Sequence, residues 1–129
     1  MRVNLLDTNI ALFVLTGDPR LTSSVRAAVA EGPNVLSVAT YWEIAIKAMR
    51  GKLDVGDPAI WWQHALQQLA ATPLPIRPEH ITSLCSLPSI HQDPFDRILI
   101  AQAISQGFTL LTADEEIARY SSAGFSLIT

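Results

Sequence analysis

VNLLDTN, residues 3–9, is the stretch whose reading decides the fold. VNLL is short, uncharged and mostly apolar, and Asp7 follows it at once. Such a run, bounded by turn-forming residues, reads as a strand buried on both faces, the kind found in parallel sheets. Thr8 and Asn9 favour turns and caps, so a short helix from Asn9 to Leu15 is expected next, ended by Gly17-Asp18-Pro19. The alternation then repeats. Asn34–Val38, Thr109–Thr112 and, after Gly124, Phe125–Ile128 are strand candidates, and Leu74–Ile76, set between prolines, suits a sheet edge. Between them lie helices. Leu21–Glu31 carries Leu21, Val25, Ala28 and Val29 at helical spacing and stops at Gly32-Pro33. Residues 39–50 form the next, with Gly51 as its stop. Asp57-Pro58 and Asp93-Pro94 each pair an N-cap with proline at the first helical position; the second opens Pro94–Gln106, stopped by Gly107. Shorter helices are expected from Pro78 to about Leu87 and from Glu115 to Tyr120. Strands separated by helices imply an α/β fold, a parallel sheet with helices on both faces.

The 129 residues fit one domain, and the 49% apolar and 16% charged composition argues for a packed core and against disorder. A single cysteine, Cys85, excludes an internal disulfide; Leu84 and Leu87 beside it suggest a buried thiol. The start, MRVNLLDTN, meets an acid after two leucines, unlike a secretory signal, and no apolar run approaches the ~20 residues of a membrane helix. The cytoplasm is the expected compartment. A net charge of −3 weighs mildly against nucleic-acid binding, unless acids gathered around divalent cations invert the local sign.

Ligands of open α/β sheets bind beyond the carboxyl ends of the strands. Asp7 follows VNLL directly and Asp114 follows TLLT after one alanine, so both are expected on that rim. Glu43 is the only acid in a mostly apolar helix, with Lys47 and Arg50 on its stripe at i+4 and i+7. Asp96 lies in the first turn of its helix and heads the apolar row Leu99, Ile100 and Ala103. Converging carboxylates repel one another unless a cation lies between them, and oxygen-only ligand sets select Mg²⁺ or Mn²⁺ over zinc. Phosphodiester hydrolysis is the usual chemistry of such a cluster. The chain has no Ser/His/Asp arrangement, no metal-spaced Cys/His set and no glycine-rich phosphate loop.

Each acid also has a structural explanation. Asp7 could simply turn the chain, Glu43 could pair with Lys47, and Asp114 could cap the helix holding Glu115 and Glu116. Asp93 is fully explained as an N-cap, which leaves Asp96 as the functional candidate of that pair. Thr8 and Asn9 would orient Asp7 or cap its helix, and Thr112 would bond near the site or finish its strand. His64, His80 and His91 share no spacing and are expected at the surface or behind the site. Trp61 and Trp62 point to different helix faces, one to the core and the other toward a partner.

Together LLDTN (5–9), YWEIAIK (41–47), HQDPFDRILIAQA (91–103) and LLTAD (110–114) resemble PIN-domain nucleases, and most closely the VapC-type toxins of bacterial toxin–antitoxin pairs. WEIAIKAMRGKL (42–53) is similar to a block of one VapC-like subgroup; residues 54–90 match least. The resemblance implies a parallel sheet of about five strands and a site of Asp7, Glu43, Asp96 and Asp114 holding one or two Mg²⁺ or Mn²⁺ ions. Asp93, Thr8, Asn9 and Thr112 would support it. It implies an endoribonuclease, the toxin of a type II pair, cutting tRNA or ribosomal RNA with metal-activated water. It also implies a cognate antitoxin and a homodimer. Lys47 and Arg97 would be the nearest RNA contacts, with Arg20, Arg26, Arg50 and Lys52 as further cations. Arg97 could instead pair with Asp93. Two alternatives are weighed against this. A haloacid-dehalogenase-like phosphatase also begins from an aspartate after an apolar strand, but Asn9 stands where its second aspartate belongs. A catalytically inactive PIN-fold binding module would be marked by loss of the acids, and all of them are present.

Overall fold

A computed structural model describes residues 2–89, 92–120 and 126–129. Five strands are joined by seven helices along the described chain, in pairs except between the last two strands: β1 (Asn4–Leu6), α1 (Thr8–Thr16), α2 (Ser23–Glu31), β2 (Asn34–Ser37), α3 (Val38–Met49), α4 (Pro58–Gln68), β3 (Ala71–Leu74), α5 (Pro78–Cys85), α6 (Pro94–Gln106), β4 (Thr109–Leu111), α7 (Glu115–Ala118) and β5 (Ser126–Ile128). The strands form one parallel sheet in the order β3-β2-β1-β4-β5. The chain builds outward from β1 to β3, then returns to place β4 on the other side of β1. The point where the order reverses therefore lies between β1 and β4, where open sheets offer a crevice. Leu6 stands opposite Leu111, so the two strands end side by side, and the Asp7 amide donates to the Leu111 carbonyl at 3.0 Å.

Successive strand side chains point to opposite faces, and here both faces are covered. Leu5, Val35 and Leu110 pack with Leu99, Ile100 and Ala103 of α6. Leu6, Leu36 and Leu111 pack on the other side with Ile10, Val25, Trp62 and Leu69. Burying each such leucine stabilises the fold by roughly 1.5–3 kcal/mol, which is why VNLL and TLLT are continuous apolar runs and not alternating ones. Asn4 and Asn34 sit at the opposite end of the strands from the site. Their amides bond to each other at 3.0 Å and to the carbonyls of Ala28, Val29 and Leu69.

Several boundaries differ from expectation. α1 begins at Thr8, because the side chain that caps it is Asp7 and not Asn9. α2 begins at Ser23, since the Thr22 hydroxyl accepts from the Val25 amide. β3 runs over Ala71–Leu74 and not Leu74–Ile76: pairing with β2 sets its register, and Pro73 is tolerated because β3 is an edge. α5 stops at Cys85, short of Leu87. Cys85 is exposed, contrary to the buried thiol expected, while His80 of the same helix is fully buried. Five helical residues turn the chain roughly 140°, so the two side chains face different ways. Gly124 and Phe125, assigned to the last turn and strand, lie outside the described residues, as does His91. Among the described residues no helix is long and apolar enough to cross a membrane.

Candidate active site

Asp7 is the residue where β1 becomes α1. Its backbone is extended, and its carboxylate Oδ1 accepts from the Ile10 amide at 2.8 Å, capping the helix. The other oxygen, Oδ2, accepts from the Thr112 hydroxyl, which comes from the end of neighbouring β4. The residue is only 2% exposed. Burial pushes the Asp7 carboxyl up to about 6, and the negative charges of Asp114 and Glu43 push the same way; the Thr112 and Ile10 hydrogen bonds oppose them. Capping and a functional role thus coexist in one side chain: a cap needs one oxygen, and burial among other acids is no requirement of a cap.

Thr112 links two acids. It donates to Asp7 and accepts from the backbone amide of Asp114 at 3.0 Å. Asp114 is half-buried and caps α7, its Oδ1 accepting from the Glu116 amide at 2.8 Å. On the other side, the Thr8 hydroxyl donates to Glu43 Oε1 at 2.6 Å and lies 3.1 Å from the Thr40 hydroxyl. Glu43 is buried on the inner face of α3, and its Oε2 accepts from Lys47 Nζ at 2.8 Å. The Lys47 ammonium is held above its usual range first by that bond, and the charges of Asp93 and Asp96 add to it. The start of α6 therefore faces α3 across Lys47. Asp93 caps α6 through the Phe95 and Asp96 amides at 2.8 and 3.2 Å, while Asp96 is half-buried in the first turn.

Asp7 thus feels the negative charges of Glu43 and Asp114, while Asp96 and Asp93 act with Glu43 on the Lys47 ammonium. Among the described residues no three Asp, Glu, His or Cys side chains converge closely enough to hold an ion between them as they stand. The donor set nevertheless fits a hard divalent cation, since it is all oxygen and its most buried acid is poorly compensated. A cavity of about 630 Å³ opens beside Asn9 and Asp114, and a second of about 210 Å³ beside Glu43 and Lys47.

Other expected residues fall elsewhere. Asn9 is exposed and lines the larger cavity without holding Asp7. Arg97 donates to the Pro88 carbonyl and to the Tyr120 hydroxyl, each at 3.1 Å. Arg20 is paired with Asp18 and lies over the Phe13 ring. His64 is exposed. His80 is neither at the surface nor behind the site: it accepts from the Arg77 amide at 3.0 Å and packs against Gln102 and Gln106 between α5 and α6. Trp62 is the core member of its pair, stacked on Tyr41 at 5.1 Å. Trp42 was not singled out from the sequence, yet it is 56% exposed immediately beside Glu43. Its signal was weak, because α3 is apolar nearly all the way round.

Residues 5–123 match the sequence pattern of the PIN domain. Ribonuclease VapC22 of Mycobacterium tuberculosis is 30% identical over 121 residues, covering 91% of each chain. A DNA-bound VapBC from Salmonella typhimurium shares the fold with a TM-score of 0.73 at 17% identity, over 99% of this chain and 98% of that one. FitAcB from Neisseria gonorrhoeae gives 0.66 at 20% identity, over 98% and 97%.

Proposed function

The chain belongs to the PIN-domain family and, within it, to the VapC-type ribonucleases, and from that premise we propose that Asp7, Glu43, Asp96 and Asp114 are the groups with which it hydrolyses RNA. It is the toxin of a type II toxin–antitoxin pair. The observation that carries the assignment is Asp7: a buried carboxylate at the end of the central strand, at the switch point of the sheet, with Glu43 and Asp114 close enough to raise its pKa. Such an acid has reason to be there if a divalent cation is its partner.

Asp7, Glu43, Asp96 and Asp114 would hold one or two Mg²⁺ or Mn²⁺ ions, directly or through water. When bound, the ion polarises the phosphoryl oxygen and lowers the pKa of the attacking water. The chain's own contribution is orientation and charge. Thr112 and the Ile10 amide fix the Asp7 carboxylate, Thr8 fixes Glu43, and Lys47 balances the Glu43 charge. The cation requirement also reconciles a net charge of −3 with a polyanionic substrate. A cognate antitoxin is the proposed partner, supported by the VapBC likeness, and a homodimer the proposed assembly. Growth arrest on expression, relieved by co-expression of a short reading frame found beside the gene, is the result expected; arrest that no adjacent frame relieves would count against that partner.

RNA cleavage by paired variants at the start of α6 tests the site. With Mg²⁺ present, Asp96→Asn is expected to cut RNA at least tenfold more slowly. Asp93→Ala is expected to lose about 1 kcal/mol of stability with the cap and to keep its rate within a few-fold. Equal rates in Asp96→Asn and the parent would remove Asp96 from the site, and cleavage undiminished in EDTA would remove the metal.

A further inference from the structure

Trp42 and Phe95 meet edge to face next to the carboxylates, their ring centroids 5.1 Å apart and their planes at 84°. Edge-on packing pins the indole, yet 56% of Trp42 remains in solvent. A Trp in that setting gives up a large apolar area for no folding benefit. The two rings come from the residues just before Glu43 and Asp96, so the aromatic shelf is anchored to the same two helices as the acids.

The charge around the shelf is equally particular. The cavity of about 210 Å³ beside it is lined by three cations, Lys47, Arg50 and Lys52, by two acids, Glu43 and Asp93, and by Ile46, Pro94 and Phe95. Arg2, Arg20, Lys47 and Arg119 each spend their charge on a carboxylate. Arg50 and Lys52 are exposed and, among the described residues, their side chains make no ion pair or hydrogen bond. In a chain of net charge −3, two uncommitted cations thus line a cleft shared with Pro94, Phe95, the Glu43–Lys47 pair and Asp93, whose carboxylate caps α6.

We propose that the exposed face of Trp42 and the adjoining cleft, joined through Phe95, form a subsite for one nucleotide of a single-stranded RNA segment, with the base stacked on Trp42 and the adjoining phosphates held by Arg50 and Lys52. The inference rests on the ribonuclease site proposed above and adds a surface that selects unpaired substrate. An aromatic face accepts any base but only when the base is free of a duplex, and surface cations supply affinity through phosphate. The exposed Met49, 84% in solvent on the same helix, makes a protein partner the rival occupant. The pairing of an aromatic shelf with uncommitted cations favours the nucleic acid.

Fluorescence anisotropy of a labelled 12-mer tests this, with Asp7→Asn as the background so that the RNA stays intact in Mg²⁺. Adding Trp42→Ala is expected to weaken binding of the single strand by roughly 5- to 100-fold, as loss of one stacked base would. Trp42→Phe should recover most of that, and a duplex of the same sequence should be indifferent to Trp42. Arg50→Ala with Lys52→Ala should reduce the slope of log K against log salt by about 1.4. Single-strand binding unchanged in Trp42→Ala would overturn the proposal, as would equal weakening for the duplex. A Trp42→Ala variant that alters sedimentation but not RNA binding would assign the face to a second copy or another protein, again overturning it. Each of these failures leaves the ribonuclease site intact, whereas RNA cleavage persisting in Asp7→Asn alone would sink the site itself.

Discussion

Asp7→Asn is expected to slow RNA cleavage by at least about 100-fold while making the metal-free fold more stable. The rate loss follows from removing the charged oxygen of the acid nearest the switch point, when an ion in such a site supplies several kcal/mol of transition-state stabilisation. The stability gain follows from burial. The Asp7 carboxyl titrates at about 6 in the fold against an ordinary 3.8. Between those values the unfolded chain is ionised and the folded one still holds its proton. The Asp7 contribution to stability is therefore full below about pH 4, falls as the pH rises to 6, and is flat above. The difference corresponds to about 3 kcal/mol lost by pH 7. Asparagine keeps the acceptor for the Ile10 amide, and its amide group can donate to Thr112, so the cap survives. Urea denaturation in EDTA at pH 4 and 7 checks the claim: the stability of the parent should fall relative to that of Asp7→Asn over that range, the groups common to both cancelling in the difference. A variant that is both active and less stable at pH 7 would contradict it.

Lys47→Met is expected to destabilise the metal-free protein by about 1–3 kcal/mol and to be rescued by Mg²⁺. Lys47 is the cation bonded to a Glu43 side chain only 7% exposed, and its removal leaves a buried anion whose remaining hydrogen bond among the described residues comes from Thr8. The lysine itself is 45% exposed, which keeps the loss below that of a fully buried pair. If Glu43 and Lys47 were an ordinary surface pair at i,i+4, the loss would be a few tenths of a kcal/mol. Thermal melts of parent and variant, with EDTA and then with millimolar Mg²⁺, separate the two cases. A small loss that Mg²⁺ does not change would reduce Glu43 to a structural role.

Much of this architecture was legible in the residues. VNLL and TLLT could be read because parallel strands covered on both faces must be continuously apolar, and Asp57-Pro58 and Asp93-Pro94 because caps are local chemistry. The Asp7 and Asp114 positions followed from where such strands end. What escaped was set by distant parts of the chain. Thr8 and Thr112 reach partners 35 and 105 residues away, so nothing in their neighbourhood announces that one holds Glu43 and the other Asp7. β3 begins three residues early because β2 fixes its register. α5 carries Ile81, Leu84 and Cys85 at helical spacing, yet it turns His80 inward to Gln102 and Gln106 of α6 and leaves Cys85 exposed, so the two residues exchanged the places expected of them. α3 shows the converse: apolar nearly all round, it concealed that Trp42 lies on its open side. Glu43, by contrast, stood out as the only acid in an apolar helix, and Asp7 and Asp114 as acids closely following apolar strands.

The central claim is that the carboxylates act together on a divalent cation. Titration with Mn²⁺, counting the free ion by its electron paramagnetic resonance signal, tests it most directly. The parent is expected to hold one or two ions and Asp7→Asn to bind at least tenfold more weakly. Binding of equal strength in the two proteins, or none in the parent, would contradict the account.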